Sequence, residues 1–285
     1  MAYTVQSAFA QFYDAINLPG EHRETANNRK DHLIELLGGK FEIVDSFGTG
    51  SIPKYTALKG HADIDIFLVL HYQKHCMNKS PSEVLNSVRE VLAYKTTVRR
   101  NGQAVSLSYT TWPSVDIVPV FYTHLNGTFT HYNVPDMNTG TWIPSRPKEH
   151  AAAIEYAASQ FGENFRKIIK MIKAWNLGHG NFLQSYHIEV LALKVVISNT
   201  SNLSWSVFSF FNEAKTLLGM PLWHDKGFVD SYLGSGDRYE IIKRFDTAIG
   251  IARDAWYRTH LPNSDQQGAI RCWKQLFGDQ FPSYG

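Results

Sequence analysis

The sequence predicts an α/β fold, with a mixed sheet over residues 1–146 and a helical lobe over residues 147–285. Three observations predict it. Short runs before residue 135 alternate in polarity, as in Ile64, Ile66, Leu68 and Leu70, which is the period of a half-buried strand. After Pro147 apolar residues recur at helical spacing, as in Phe165, Ile168, Ile169, Ile172 and Trp175. Between the two, Pro135 to Pro147 is rich in Pro, Thr, Asn and Gly and reads as a loop.

The elements come in this order. Residues 3–16 read as a helix on Val5, Phe9, Phe12 and Ile16. Residues 24–37 read as a second, stopped by Gly38-Gly39. Both are expected to pack across the two lobes. Lys40 to Phe47 reads as a strand feeding the small-residue turn Gly48-Thr49-Gly50-Ser51, and Asp63 to His71 as the next strand. Pro81 opens a helix to about Tyr94, since Pro suits a first turn. Thr97–Arg99 and Ala104–Tyr109, joined at Asn101-Gly102, read as a hairpin. Val115–Phe121 and Thr128–Tyr132 are further strands. Helices are expected at about 147–160, 163–177, 204–217, 239–259 and 264–276, and Asp279 to Gly285 as an extended, mobile tail. The helix at 163–177 also carries Arg166, Lys170 and Lys173 at i, i+4 and i+7, ordinarily a solvated basic face.

The chemistry concentrates between Phe47 and Leu70. Asp63 and Asp65 share the face opposite Ile64 and Ile66. Two residues along a strand span about 6.6–6.8 Å. Carboxylates at that spacing can reach divalent ions about 3.5–4 Å apart, the arrangement used for displacement at phosphorus. The Gly-Ser turn can offer backbone N–H groups to phosphate oxygens. Either feature alone is common. Joined by a short segment, and backed by a third acid at Asp116 in S-V-D-I-V-P-V, they become specific. His61 precedes the acids, but a hard magnesium site prefers oxygen, so it receives no role.

Composition narrows the classes. The net charge is +2, which gives no broad footprint for long nucleic acid. Two cysteines, Cys76 and Cys272, build neither a zinc cluster nor a disulfide framework and suit a reducing cytoplasm. No signal peptide and no membrane-spanning run is read.

Residues 50–65 read G-S-I-P-K-Y-T-A-L-K-G-H-A-D-I-D. This resembles the signature of the nucleotidyltransferases related to cyclic GMP-AMP synthase, the bacterial second-messenger synthases of anti-phage systems, whose pattern is roughly G-S-Y-A-R-G-T-A-I-K-G-S-S-D-I-D. The match is ungapped at Gly50, Ser51, Thr56, Ala57, Lys59, Gly60, Asp63, Ile64 and Asp65. It departs at Ile52, Pro53 and Tyr55, where the family tends to have aromatic, small and glycine residues. Further on, I-K-M-I-K-A-W-N and then S-Y-H-I-E-V-L resemble the family's paired helices.

The resemblance implies a polymerase-β-like nucleotidyltransferase fold with the active site in the cleft between sheet and helical lobe. It implies that Asp63, Asp65 and Asp116 bind two Mg²⁺ ions, with Mn²⁺ as a substitute. Gly50 and Ser51 would cradle the triphosphate, Lys173 and Ser185 would clamp it, and Tyr186 would stack on a base. The alternative for Tyr186 is a core aromatic, and His187 receives no role. Ser145 matches the position that reads the donor base, with serine accompanying purines; its plainer alternative is a cap for the helix at Pro147. The expected activity joins NTPs into a cyclic oligonucleotide, first of all a cyclic dinucleotide. Rival readings are a nucleotidyltransferase acting on RNA 3′ ends, a protein or a small molecule, and a degenerate nucleotide-binding sensor. A regulator at the C-terminus is also implied, such as a ubiquitin-transfer-like conjugating enzyme using Gly285; an ordinary frayed end is the alternative.

Overall fold

A computed structural model describes residues 3–93, 98–100, 102–198, 200–225, 227–260, 262 and 264–285, with 98–100 described by backbone alone. The chain forms two compact units: Leu18–Ala152, and Met1–Asn17 together with Ala153–Gly285. The first helix, α1 (Val5–Ile16), therefore belongs to the second, helical unit.

The unit Leu18–Ala152 contains α2 (Gly20–Gly38), β1 (Ile43–Thr49), β2 (Ile64–Leu70), α3 (Pro81–Leu92), β3 (Val98–Arg100), β4 (Val105–Leu107), β5 (Val115–Leu125), β6 (Thr128–Asp136) and β7 (Thr141–Ser145). The strand order is β1-β2-β5-β4-β3, and β6 and β7 extend from β5. β2 and β5 run parallel. The remaining pairs, β1–β2, β3–β4, β4–β5, β5–β6 and β6–β7, are antiparallel. β5 is long enough to serve twice: Val115 to Val120 lie beside β2, and Phe121 to Leu125 beside β6.

Alternation sets the two faces. Ile64, Ile66, Leu68 and Leu70 share a buried cluster with Leu33 and Leu37 of α2 and Val84, Leu85 and Val88 of α3. Phe67, Val69, Val118, Val120, Tyr132 and Val134 form a second cluster on the other face. β2 beyond Asp65 is thus apolar on both sides, and truncating a buried residue there, such as Leu68→Ala, is worth about 2–5 kcal/mol. α3 starts with a reciprocal cap between Ser80 and Glu83 and with Pro81 in its first turn.

The helical unit continues through α4 (Pro147–Phe161), α5 (Asn164–Gly178), α6 (Ser185–Val195), α7 (Leu203–Leu218), the small strands β8 (Trp223–His224) and β9 (Gly227–Phe228), α8 (Ser235–His260) and α9 (Gln266–Phe277). Trp175 of α5 is 1% exposed and meets Phe211 of α7 and Phe245 of α8 edge-on, at centroid distances of 4.9 and 5.2 Å. α1 adds Phe9 and Phe12, which pack on Trp273 and Phe277 of α9 at 4.9 and 4.6 Å.

Several expectations need correction. The loop read at Pro135–Pro147 is instead a hairpin, with β6 running to Asp136 and β7 after it. Pro135 is tolerated because the β5 ladder ends at Asn133, so its missing N–H faces no partner on that side. Pro144 lies on β7, which among the described residues pairs only with β6. Asp136 closes the turn by accepting from Asn138 N at 3.0 Å and Thr139 Oγ1 at 2.8 Å. Of the two N-terminal helices, α1 falls with the helical unit and α2 with the sheet unit. The boundary lies between Ala152 and Ala153, inside α4, rather than at 146/147. The tail is packed: Phe281 is fully buried against Phe9, Phe12 and Phe277, and Tyr284 meets Tyr3 at 5.7 Å. Apolar burial outweighs the breaker signal of Pro282. Lys170 and Lys173 are 1% and 5% exposed, so that face of α5 is interior. Tyr94, Thr97 and Asn101 of the predicted helix end and hairpin lie outside the described residues. Among the described residues no helix is long and apolar enough to cross a membrane.

Candidate active site

β1 delivers the turn and β2 the acids. In the β1–β2 ladder Thr49 lies opposite Asp65. The next residue, Gly50, has φ +75°, and a Cβ there would stand 1.8 Å from Asp65 Oδ2. Only glycine permits that approach. Ser51 then opens a tight turn, in which Tyr55 N donates to Ile52 O at 3.1 Å and Thr56 N to Ser51 O at 3.0 Å. Tyr55, where the resembling pattern has glycine, sits at φ +59°. The left-handed conformation is kept despite the side chain, at a cost of about 1–2 kcal/mol. The Arg23 guanidinium of α2 covers its ring at 4.6 Å.

Asp65 and Asp116 are direct neighbours across the parallel β2–β5 ladder. Asp63 stands just ahead of β2 and is exposed, while Asp65 and Asp116 are partly buried. Partial desolvation of its carboxyl, despite the residue's exposure, and then the charge of Asp116 raise Asp63 above its ordinary value. Asp65 is pushed up to about 7, first by burial and then by Asp116 and Asp63, with Lys54 opposing. Such a group of carboxylates is short of positive charge. An all-oxygen donor set of this kind fits hard divalent cations. Among the described residues no three ligating groups already converge on one point.

The other expected residues divide between the units. Ser145 ends β7, half-buried, with its Cα opposite Tyr132. Arg146 O receives the first backbone bonds of α4, from Glu149 N and His150 N. Lys173 lies inside the helical unit, donating to Glu189 Oε1 at 2.8 Å. Ser185 and Tyr186 begin α6 and are exposed. The Tyr186 ring lies 6.1 Å from that of His224, and burial together with the charges of Asp225 and Glu189 pushes its hydroxyl up to about 12. A groove of about 870 Å³ in the helical unit, lined by Thr4, Asp14, Lys167, Asn202 and His260 among others, holds none of these residues.

Two supports were missed in the sequence. Tyr232 accepts from Gln184 N at 2.9 Å, and its hydroxyl lies 2.9 Å from His187 Nδ1. His187 is fully buried, and desolvation lowers it to about 4; the neutral imidazole can therefore accept from that hydroxyl. The pair fastens the first turn of α6 behind Ser185 and Tyr186. Glu189 does similar service through Lys173. Glu189 was visible within S-Y-H-I-E, but nothing near Tyr232 marks its partner 48 residues away.

Similar chains and similar folds occur among known proteins. The family described as the Second Messenger Oligonucleotide or Dinucleotide Synthetase domain matches residues 3–157. A probable cyclic nucleotide synthase of Bacillus cereus is 24% identical over 331 residues, covering 100% of this chain and 99% of that protein. A cyclic AMP-AMP-AMP synthase of Acinetobacter sp. is 23% identical over 265 residues, covering 84% and 73%. Among solved structures, E. coli CdnC in complex with HORMA-deltaN superposes with a TM-score of 0.78 at 18% identity, covering 97% of this chain and 98% of that one. Vibrio cholerae DncV, a cyclic AMP-GMP synthase bound to a linear intermediate, gives 0.66 at 13% identity, covering 84% and 70%. These likenesses establish a shared fold.

Proposed function

The chain belongs to the Second Messenger Oligonucleotide or Dinucleotide Synthetase family, and from that premise we propose that it joins NTPs into a cyclic oligonucleotide with release of pyrophosphate. The observation that carries this reading is the ladder pairing of Asp65 with Asp116, with Asp63 one step ahead and Gly50 held against the Asp65 carboxylate.

Asp63, Asp65 and Asp116 would hold two Mg²⁺ ions, which supply the positive charge that acidifies an acceptor hydroxyl and neutralises the leaving pyrophosphate. Gly50 and Ser51 turn backbone N–H groups toward the phosphates. The Ser185 hydroxyl at the first turn of α6 binds the triphosphate, and Tyr186 offers its ring to a base, a contact worth about 1–3 kcal/mol. Lys173, expected from the resemblance to clamp the triphosphate itself, is buried and donates to Glu189, so it serves this surface indirectly by tying α5 to α6 behind Ser185. Ser145 reads the donor base and favours purines, since its short hydroxyl leaves more room than an asparagine amide. The setting is anti-phage signalling, with a cyclic dinucleotide as the first product to look for.

The test incubates the pure protein with labelled NTPs and Mg²⁺ and treats the mixture with phosphatase. A cyclic product resists the phosphatase and is absent with the Asp63→Asn/Asp65→Asn double variant. Products that all lose label, or a double variant as active as the wild type, overturn the proposal. Pairwise NTP competition tests the base reading: Ser145→Asn raises pyrimidine incorporation by roughly ten-fold, the scale of one polar base contact.

A further inference from the structure

α2 lies against the sheet unit's catalytic segments with more than its apolar face. Arg29, in its middle, reaches the loop that leads into β5. Its Nη1 donates to Thr111 O at 2.9 Å and to Pro113 O. Its Nη2 donates to Thr111 Oγ1 at 2.6 Å. The guanidinium also lies over the Tyr109 ring, 4.3 Å from the centroid. One side chain thus grips residues 109, 111 and 113. His22 of the same helix meets Trp112 edge-on at 4.9 Å.

The residues immediately beyond this loop give the grip its meaning. Ser114 O accepts from Ile64 N at 2.9 Å, and Ile64 is the residue between Asp63 and Asp65. Val115 and Asp116 then pair with Ile64 and Asp65. The carbonyl that Arg29 holds at Pro113 is therefore one residue from the bond that sets β5 against β2. The interaction uses what arginine alone provides: a planar fork for several acceptors and a flat cation for an aromatic face.

We propose that Arg29 is a positioning residue for the acids, fixing the loop at 109–113 so that Asp116 stands in register with Asp65. Its contacts are with Tyr109, Thr111 and Pro113, so it would act through the loop. The inference rests on the reading that Asp63, Asp65 and Asp116 bind metal and catalyse.

The experiment compares wild type, Arg29→Ala, Arg29→Lys, Thr111→Val and the Asp63→Asn/Asp65→Asn control in the full chain. It reads kcat, KM for ATP, thermal unfolding, and Mn²⁺ half-saturation by electron paramagnetic resonance without nucleotide. Arg29→Ala lowers kcat by about 10- to 100-fold, the scale of a displacement near 1 Å at reacting groups. KM stays within about three-fold, because an interaction that acts through transition-state geometry leaves ground-state binding largely unchanged. Mn²⁺ half-saturation rises several-fold. Arg29→Lys falls between wild type and alanine. A folded Arg29→Ala protein with wild-type kcat and Mn²⁺ half-saturation overturns the inference, as does one whose only change is a lower unfolding temperature. Should Arg29→Ala not fold, wild-type values in both Arg29→Lys and Thr111→Val overturn it equally. A double aspartate control that keeps turnover and Mn²⁺ binding defeats the underlying reading instead.

Discussion

Gly50 has two independent reasons to be glycine: its backbone is left-handed, and the Asp65 carboxylate occupies the space of a side chain. Gly50→Ala is expected to cost about 1–2 kcal/mol of stability from backbone conformation alone. Activity should fall further than stability, by roughly 100-fold, because the displaced atom is a carboxylate oxygen of the site. Denaturant titration and steady-state kinetics on the same preparation check this. Asp65 carries the second residue-scale expectation. Its folded value of about 7 lies above the ordinary carboxylate range, so the folded chain holds this proton more tightly than the unfolded chain. The contribution favours folding fully below about pH 4 and is lost as pH rises through 7. Metal-free protein is thus expected to lose on the order of 2–4 kcal/mol between pH 4 and 8 from this group, and Asp65→Asn should remove most of that slope in urea titrations. The strand placement of Asp65 and Asp116 was legible in the sequence because alternation fixes where a strand side chain points. The close approach of Gly50 to Asp65 was not, because it depends on how two strands pair.

At the scale of elements, the start of α6 stands on a buried imidazole and a distant tyrosine. Tyr232→Phe removes the hydroxyl that joins Gln184 N to His187 Nδ1. It leaves polar atoms unpaired, an expected loss of about 1–3 kcal/mol. KM for NTP should rise, since Ser185 and Tyr186 lose their backing; a wild-type KM in a destabilised variant would separate the network from substrate binding. Local sequence marked this helix but not its support. The β6–β7 hairpin was hidden for a different reason. Pro135, Pro144 and the polar turn read as a loop, and only the one-sided pairing at those prolines makes them compatible with strands. α5 itself was legible, but the burial of its lysines was not: a basic face ordinarily reads as solvated, and partners from elsewhere in the fold, Asn17 for Lys170 and Glu189 for Lys173, let them be interior.

At the scale of the whole molecule, the helical unit closes with aromatic residues from α1 at one side of the sequence and α9 at the other. Phe281 is fully buried among Phe9, Phe12 and Phe277. Phe281→Ala is expected to cost about 3–5 kcal/mol, measured by guanidinium titration, while turnover per folded molecule at low temperature stays near wild type. The sequence marked helices at 3–16 and about 264–276 but not that they meet, since contacts between distant segments leave no local trace.

That meeting has a consequence for biosynthesis. The sheet unit is one unbroken stretch, residues 18–152, and can complete its ladders while the ribosome is still adding the later helices. The helical unit cannot. Phe9 and Phe12 emerge early and must wait for Trp273, Phe277 and Phe281, which emerge more than 250 residues later. A nascent or prematurely terminated chain can therefore carry Asp63, Asp65 and Asp116 on a finished sheet while Phe9 and Phe12 still lack the aromatic partners that close the helical unit.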